Sequence, residues 1–286
     1  MTRLAYDIVD VFTDRPFAGN PLAVVFGGEH LDTSQMQAMA REFHLSETVF
    51  VLPSTMEGAD YRLRIFTPEA ELPFAGHPSV GSAVAQHRRG MVPTGQLHQE
   101  CGVGVLPIFV HPDGRATLTG GAATIGAVLS PTPYLACAGL SEADLAGSPI
   151  CMAGCGLEFP FVSVTPDAVT RAVPTPVPGV REVYIFSWDA ERRLAHARLF
   201  APQLGIAEDA ATGSAALALG VWLANCGLVP ADGETTYTVR QGIEIHRPST
   251  MECAVSTVDG QVVRTTVTGM VMPIASGEIA VPPFLG

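Results

Sequence analysis

Three kinds of residue in this 286-residue chain stand where they could move a proton or hold a small anion. Glu47, in Leu45-Ser46-Glu47-Thr48-Val49-Phe50-Val51, is a carboxylate at the mouth of an apolar strand. On a period of two it shares a face with Val49 and Val51. Burial in such company penalises the charged form and raises a carboxyl pKa towards neutrality, which suits a group that takes and returns a proton. The competing reading is an exposed glutamate at a strand edge. Gly76-His77 and Gly213-Ser214 each stand at the head of a small-residue helix, where free backbone N–H groups and the positive dipole end attract carboxylate or phosphate. Glycine lets the backbone approach closely, and His77 and Ser214 add side-chain donors. A single copy reads as a tight turn with a capping serine. Two copies in matching contexts point to a ligand. Asp209, just ahead of the second helix, is a further candidate, with an exposed turn acid or a helix cap as its plain reading.

The elements that must carry these residues are mostly short strands, expected at 5–12, 22–26, 48–52, 61–66, 103–110, 182–186, 195–200, 236–239, 252–258 and 262–268. Three helices are expected, at 34–43, 79–89 and 214–225. The first has a surface pattern, capped by Thr33 or Ser34. The other two are apolar nearly all round, rich in Gly and Ala, and end at Gly90 and Gly227, so sheet must wrap them on every side. Both follow the same words: Arg64-Ile65-Phe66-Thr67-Pro68 is matched by Arg198-Leu199-Phe200-Ala201-Pro202, and each then runs through an acidic loop into a small-Gly-polar turn and a buried helix. Two similar domains facing each other follow from this repeat, with the Pro- and Gly-rich stretch at 124–133 as the crossover.

Composition removes whole classes of chemistry. All sixteen basic residues are Arg, so a pyridoxal aldimine, a Schiff-base aldolase and a P-loop lysine are excluded. A net charge of −12 repels nucleic acid and anionic lipid surfaces. Asp7 and Asp10 interrupt the N-terminal apolar run, and the most apolar segment, 215–224, is too short to span a bilayer, so a cytoplasmic protein without a membrane span is expected. The six cysteines form no C-x-x-C pair and read as buried packing, and no zinc or other metal spacing exists. His44-x-x-Glu47 lacks further ligands. The histidines at 30, 87, 98, 111, 196 and 246 read as scattered and exposed, and Arg88-Arg89 and Arg192-Arg193 as solvated faces. Gly102-x-Gly104 is no dinucleotide fingerprint, because Pro107 takes the third glycine's place, and no G-x-S-x-G elbow is present.

Six ordered motifs closely resemble the PhzF-like family of phenazine biosynthesis isomerases. They are Asp10-x-Phe12-Thr13-x-x-Pro16-Phe17-x-Gly19-Asn20-Pro21, Leu45-Ser46-Glu47-Thr48, Phe66-Thr67-Pro68, Phe74-Ala75-Gly76-His77-Pro78, Glu208-Asp209-x-Ala211-Thr212-Gly213-Ser214-Ala215 and Gln241-Gly242-x-x-x-x-Arg247-Pro248. The resemblance implies an α+β diaminopimelate epimerase-like fold of two similar domains, each a mostly antiparallel barrel-like sheet around a central helix, with the active site between them. Domain boundaries are expected at 1–126 plus a C-terminal strand at about 272–286, and at 127–271. It further implies a homodimer and cofactor-free isomerisation of a small cyclic carboxylate, like trans-2,3-dihydro-3-hydroxyanthranilate, by proton transfer.

The family's catalytic glutamate falls on Glu47. His77 and Asp209 match its other polar site residues, Asn20 a substrate contact, and Gly76, Gly213 and Ser214 the donors at the helix ends. Ser79 and Ala210 replace the family's more frequent Thr and Pro. Related epimerases use two cysteines at the two turns, where Ala75 and Thr212 stand here, which disfavours a two-thiol racemase. Two alternatives stay open: epimerisation at an amino-acid α-carbon, and a non-catalytic carboxylate-binding protein on the same scaffold.

Overall fold

Tyr61, Leu63 and Ile65 are buried while Arg62 and Arg64 are half-buried, and this period of two makes Tyr61–Phe66 a strand. In the computed structural model, which describes residues 2–283, the same alternation recurs in Arg115–Thr119, Gly233–Gln241, Ser249–Val258 and residues 265–272, whereas strands such as Asn20–Phe26 and Glu47–Leu52 are buried almost throughout. Two compact units divide at Thr119/Gly120 and Val267/Thr268: Met1–Thr119 with Thr268–Gly286, and Gly120–Val267. The sequence had suggested 126/127 and 271/272, and residues 284–286 of its C-terminal strand lie outside the described residues.

The first unit runs β1 (Arg3–Val11), β2 (Asn20–Phe26), α1 (Thr33–Phe43), β3 (Glu47–Leu52), β4 (Tyr61–Phe66), β5 (Glu71–Leu72), α2 (Gly76–Arg88), β6 (Gly95–Cys101), β7 (Gly104–Val110) and β8 (Arg115–Thr119). β1 pairs antiparallel with β2, β2 parallel with β3, β3 antiparallel with β4, β4 parallel with β6, β6 antiparallel with β7, and β7 antiparallel with β8. The last strand of the chain, labelled β17 below (Gln261–Ala280), pairs with β8 and then antiparallel with β1, from Val11 opposite Val271 to Arg3 opposite Ala280. The strands thereby close into a barrel.

Helix α2 fills it and is buried from Gly76 through Gln86. A Cβ on Gly81 would stand 2.6 Å from Leu22 Cδ2 and 2.7 Å from Val11 Cγ2, so glycine is what lets the helix touch β1 and β2. The helix stops at Gly90, whose φ of 70° accompanies bonds from Gly90 N to His87 O and from Met91 N to Gln86 O. Helix α1 is capped by Asp32, not by Thr33 or Ser34. Asp32 Oδ1 accepts from Gln35 N at 2.8 Å, and Ser34 Oγ donates to that same carboxylate.

The second unit holds β9 (Thr124–Val128), α3 (Pro131–Cys137), β10 (Cys151–Gly154), β11 (Glu158–Ser163), α4 (Pro166–Arg171), β12 (Val183–Asp189), β13 (Leu194–Ala201), β14 (Ile206–Asp209), α5 (Gly213–Asn225), β15 (Gly233–Gln241), β16 (Ser249–Val258) and the start of β17. From β10 to β16 the pairings alternate antiparallel and parallel in the order that runs from β1 to β7. The repeat read in the sequence is thus a repeat of topology. Helix α5 is buried from Gly213 to Leu223.

The shared R-x-F-x-P words have a mechanical meaning. Arg64 lies over the Phe66 ring and Arg198 over the Phe200 ring, with guanidinium carbons 5.1 and 4.8 Å from the ring centres. Each guanidinium then forks onto the next short strand: Arg64 onto both oxygens of Glu71 at 2.7 Å, Arg198 onto Glu208 at 2.9 and 2.6 Å. Five of the six cysteines are buried free thiols and Cys226 is half-buried. Among the described residues no helix is long and apolar enough to cross a membrane.

Candidate active site

Asp10 begins the construction in the first unit. Buried at the end of β1, its carboxylate accepts from Phe17 N at 2.7 Å and ties down the loop between β1 and β2. The loop returns through Gly19, where φ is 68° and a Cβ would stand 2.3 Å from Val11 O, a conformation and space open only to glycine. Asn20 follows at once as the first residue of β2, buried. The parallel register of β2 and β3 sets Leu22 opposite Glu47, so Asn20, Ser46 and Glu47 gather at the same end of adjacent strands.

His77 arrives from the first turn of α2. Its Nε2 lies 3.3 Å from Glu47 Oε2 and its Nδ1 lies 3.3 Å from Asn20 Nδ2. Ser46 Oγ donates to Asn20 Oδ1 at 2.9 Å. The Glu47 side chain is 13% exposed and that of His77 4%. Burial pushes the His77 imidazole down from 6.5 to about 3, so it is neutral at physiological pH. A carboxylate, a neutral imidazole and an amide, drawn from two strands and a helix, can accept a proton and donate hydrogen bonds to one small molecule.

Asp209, at the end of β14, belongs to the second unit with Gly213 and Ser214, the first two residues of α5. Thr212, ahead of α5, donates its hydroxyl to Asp209 Oδ2 at 2.6 Å. Gln241, wholly buried at the end of β15, accepts from Thr212 N at 3.2 Å and donates to Thr212 Oγ1 and Asp209 O, each at 3.0 Å. Gly242 has φ of 74°, and a Cβ there would stand 2.5 Å from Ala210 O. The Gln-Gly pair therefore clamps the turn that presents Asp209. Glu182 is also held above the ordinary carboxylate range, chiefly by burial, with the Asp209 charge adding to it.

Of the residues singled out in the sequence, Asn20, Glu47, Gly76 and His77 come together in the first unit, and Asp209, Gly213 and Ser214 in the second. Sequence reasoning gave no role to Asp10, Ser46, Thr212 or Gln241, although each lies inside a quoted motif. His44 is the left-handed C-cap of α1, with φ of 50°. His196 is not exposed: it is half-buried, its Nε2 3.0 Å from Glu244 Oε1. Arg88 and Arg89 are tethers, to Val271 O and to Asp7. Among the described residues no group of three or more His, Cys, Asp or Glu could hold a metal ion.

The model of the phenazine biosynthesis-like protein family matches residues 9–277. The chain belongs to that family. An uncharacterised isomerase of Pasteurella multocida is 34% identical over 99% of this chain and 96% of its own. Trans-2,3-dihydro-3-hydroxyanthranilate isomerase of Pseudomonas aeruginosa is likewise 34% identical, over 96% and 98%. Among solved structures, a PhzF-family protein of Bacillus anthracis superposes with a TM-score of 0.86 at 27% identity, covering 98% of this chain and 100% of that one. A hydroxyproline epimerase of Agrobacterium vitis, at 16% identity and a TM-score of 0.70 over 99% and 94%, shares the fold. This member of the family is an α+β protein with barrel sheet and an isomerase of the PhzF type.

Proposed function

We propose that this isomerase moves a proton within a small cyclic carboxylate, with Glu47 taking the proton from one carbon and returning it to another. The observation that carries the reading is the 3.3 Å approach of the nearly buried Glu47 carboxylate to a His77 imidazole that burial keeps neutral. Such a pair separates the roles: the carboxylate is the base, and the imidazole is a donor to substrate oxygen or nitrogen. Gly76, at the start of α2, supplies backbone N–H for a carboxylate. In the second unit, Asp209 joins His77 in polarising the amine, hydroxyl or enol system of the substrate, and Gly213 and Ser214 are substrate contacts. Amino-acid epimerisation by two thiols fits less well, because the positions preceding α2 and α5 are Ala75 and Thr212. The reading needs no cofactor. It extends to a homodimer in the cytoplasm, and light scattering that finds a species of one chain's mass, 30.0 kDa, would reject the dimer.

The test is Glu47→Gln, assayed first on trans-2,3-dihydro-3-hydroxyanthranilate in heavy water and then on related cyclic amino and hydroxy carboxylates. The amide keeps shape and loses basicity, so ligand binding survives while turnover falls by about a hundredfold or more. Asp209→Asn, which removes a group that polarises the substrate, slows turnover as well as weakening binding. A Glu47→Gln variant as active as the wild type on any substrate the wild type converts overturns the mechanism.

A further inference from the structure

His77 has two ring nitrogens and, being neutral, one ring proton, and its neighbours decide where that proton sits. Ser46 Oγ has two acceptors in reach, Asn20 Oδ1 at 2.9 Å and Pro21 O at 3.4 Å. With Oδ1 turned to the hydroxyl, the Asn20 amide nitrogen faces His77 Nδ1 at 3.3 Å. An amide N–H only donates, so Nδ1 must present its lone pair, and the ring proton falls on Nε2, 3.3 Å from Glu47 Oε2. The reversed arrangement leaves a bare Nε2 lone pair 3.3 Å from the Glu47 carboxylate, in surroundings too dry to screen the repulsion. The two hydrogen bonds, from hydroxyl to amide and from amide to ring, set the proton placement, while the 3.3 Å approach of Nε2 to Glu47 Oε2 is a charge contact without hydrogen-bond geometry.

We infer that Ser46 and Asn20 are positioning residues that pin His77 as the neutral Nε2–H tautomer, making it a fixed hydrogen-bond donor beside Glu47. The inference deepens the proposed reaction and rests on it for its meaning. It departs from the expectation that Asn20 serves as a substrate contact.

The test reads the ring directly. In the 15N-labelled full chain near pH 7, the imidazole nitrogens of His77 are assigned by their loss in His77→Gln, and their shifts and two-bond proton couplings report the tautomer. The expected spectrum is one protonated Nε2 and one lone-pair Nδ1. Asn20→Asp keeps an acceptor for Ser46 but turns a carboxylate oxygen to Nδ1, so the proton moves to Nδ1 or the ring becomes doubly protonated. Ser46→Ala releases the amide and gives a mixture of tautomers.

A wild-type ring protonated on Nδ1, a charged ring, or an Asn20→Asp spectrum identical to the wild type overturns the proposal. Should Asn20→Asp fail to fold, the wild-type and Ser46→Ala spectra decide it. No substrate is needed, so an Nε2–H ring in a protein that converts none of the proposed compounds would uphold the pinning while sinking the reaction.

Discussion

Arg64 and Arg198 occupy the same place in the internal repeat, yet only one of their ion pairs is buried, so the repeat contains its own control. The Arg198 and Glu208 side chains are 5% and 4% exposed, those of Arg64 and Glu71 15% and 39%. Glu208→Ala removes both bonds of a buried fork and leaves a guanidinium without its main counter-charge, a change that costs about 3–5 kcal/mol. Arg198 keeps the carbonyls of Val169 and Ala172 at 3.0 and 2.8 Å and the Glu244 carboxylate at 3.8 Å. Those remaining partners place the loss at the lower end, ~3 kcal/mol. Glu71→Ala lets Arg64 turn to water and costs ~0.5–1 kcal/mol. Urea unfolding of the full chain separates the two cases when it is followed by far-UV circular dichroism, which reports both units, and by the fluorescence of Trp188 and Trp222, which both lie in the second. For a unit of this size, ~3 kcal/mol corresponds to a fall in melting temperature on the order of 6–12 °C. Equal, small losses for both variants, or a larger loss for Glu71→Ala, would refute the argument that burial decides.

The folded-state pKa of His77, about 3, lies below its ordinary 6.5. The unfolded chain therefore binds this proton first, and the stability that the neutral ring contributes is complete above pH 6.5 and is lost as pH falls towards 3. Plots of urea midpoint against pH should be flatter across that window in His77→Gln, and an unchanged slope would contradict a buried neutral ring. Gly81→Ala drives a methyl group into Leu22 and Val11, and the variant should lose ~1–3 kcal/mol in the same unfolding assay. No measurable change would mean that α2 does not sit against β1 and β2 as described.

The two central helices were legible because α2 and α5 lack any polar face, and their glycine stops at Gly90 and Gly227 behave as residue type predicts. The repeat was legible because a fork from arginine to glutamate needs the same residue types in both copies. β6 escaped notice: its inward positions include Gln99, which reads as a surface residue until Ser79 and Tyr61 are seen to satisfy it. The short α3 and α4 escaped as well, since seven and six residues are too few for a helical period to emerge. In the site, Glu47 and His77 could be named from context, whereas Ser46 and Gln241 could not. Their value lies in which way a hydroxyl or an amide points, and that follows from strand register and from turns fixed by Gly19 and Gly242, not from residue type.

Strand β17 has a consequence for how the molecule is made. The barrel around α2 is incomplete until residues 271–280 lie along β1, yet the rest of that barrel is encoded before residue 120. On the ribosome, β1 and β8 emerge with open edges and keep them while the whole of the second unit is synthesised. Closing so long a loop costs only slowly increasing entropy, so the delay is one of time more than of stability. Truncation near residue 270 should therefore leave a chain whose earliest-made half stays open to chaperones and to aggregation.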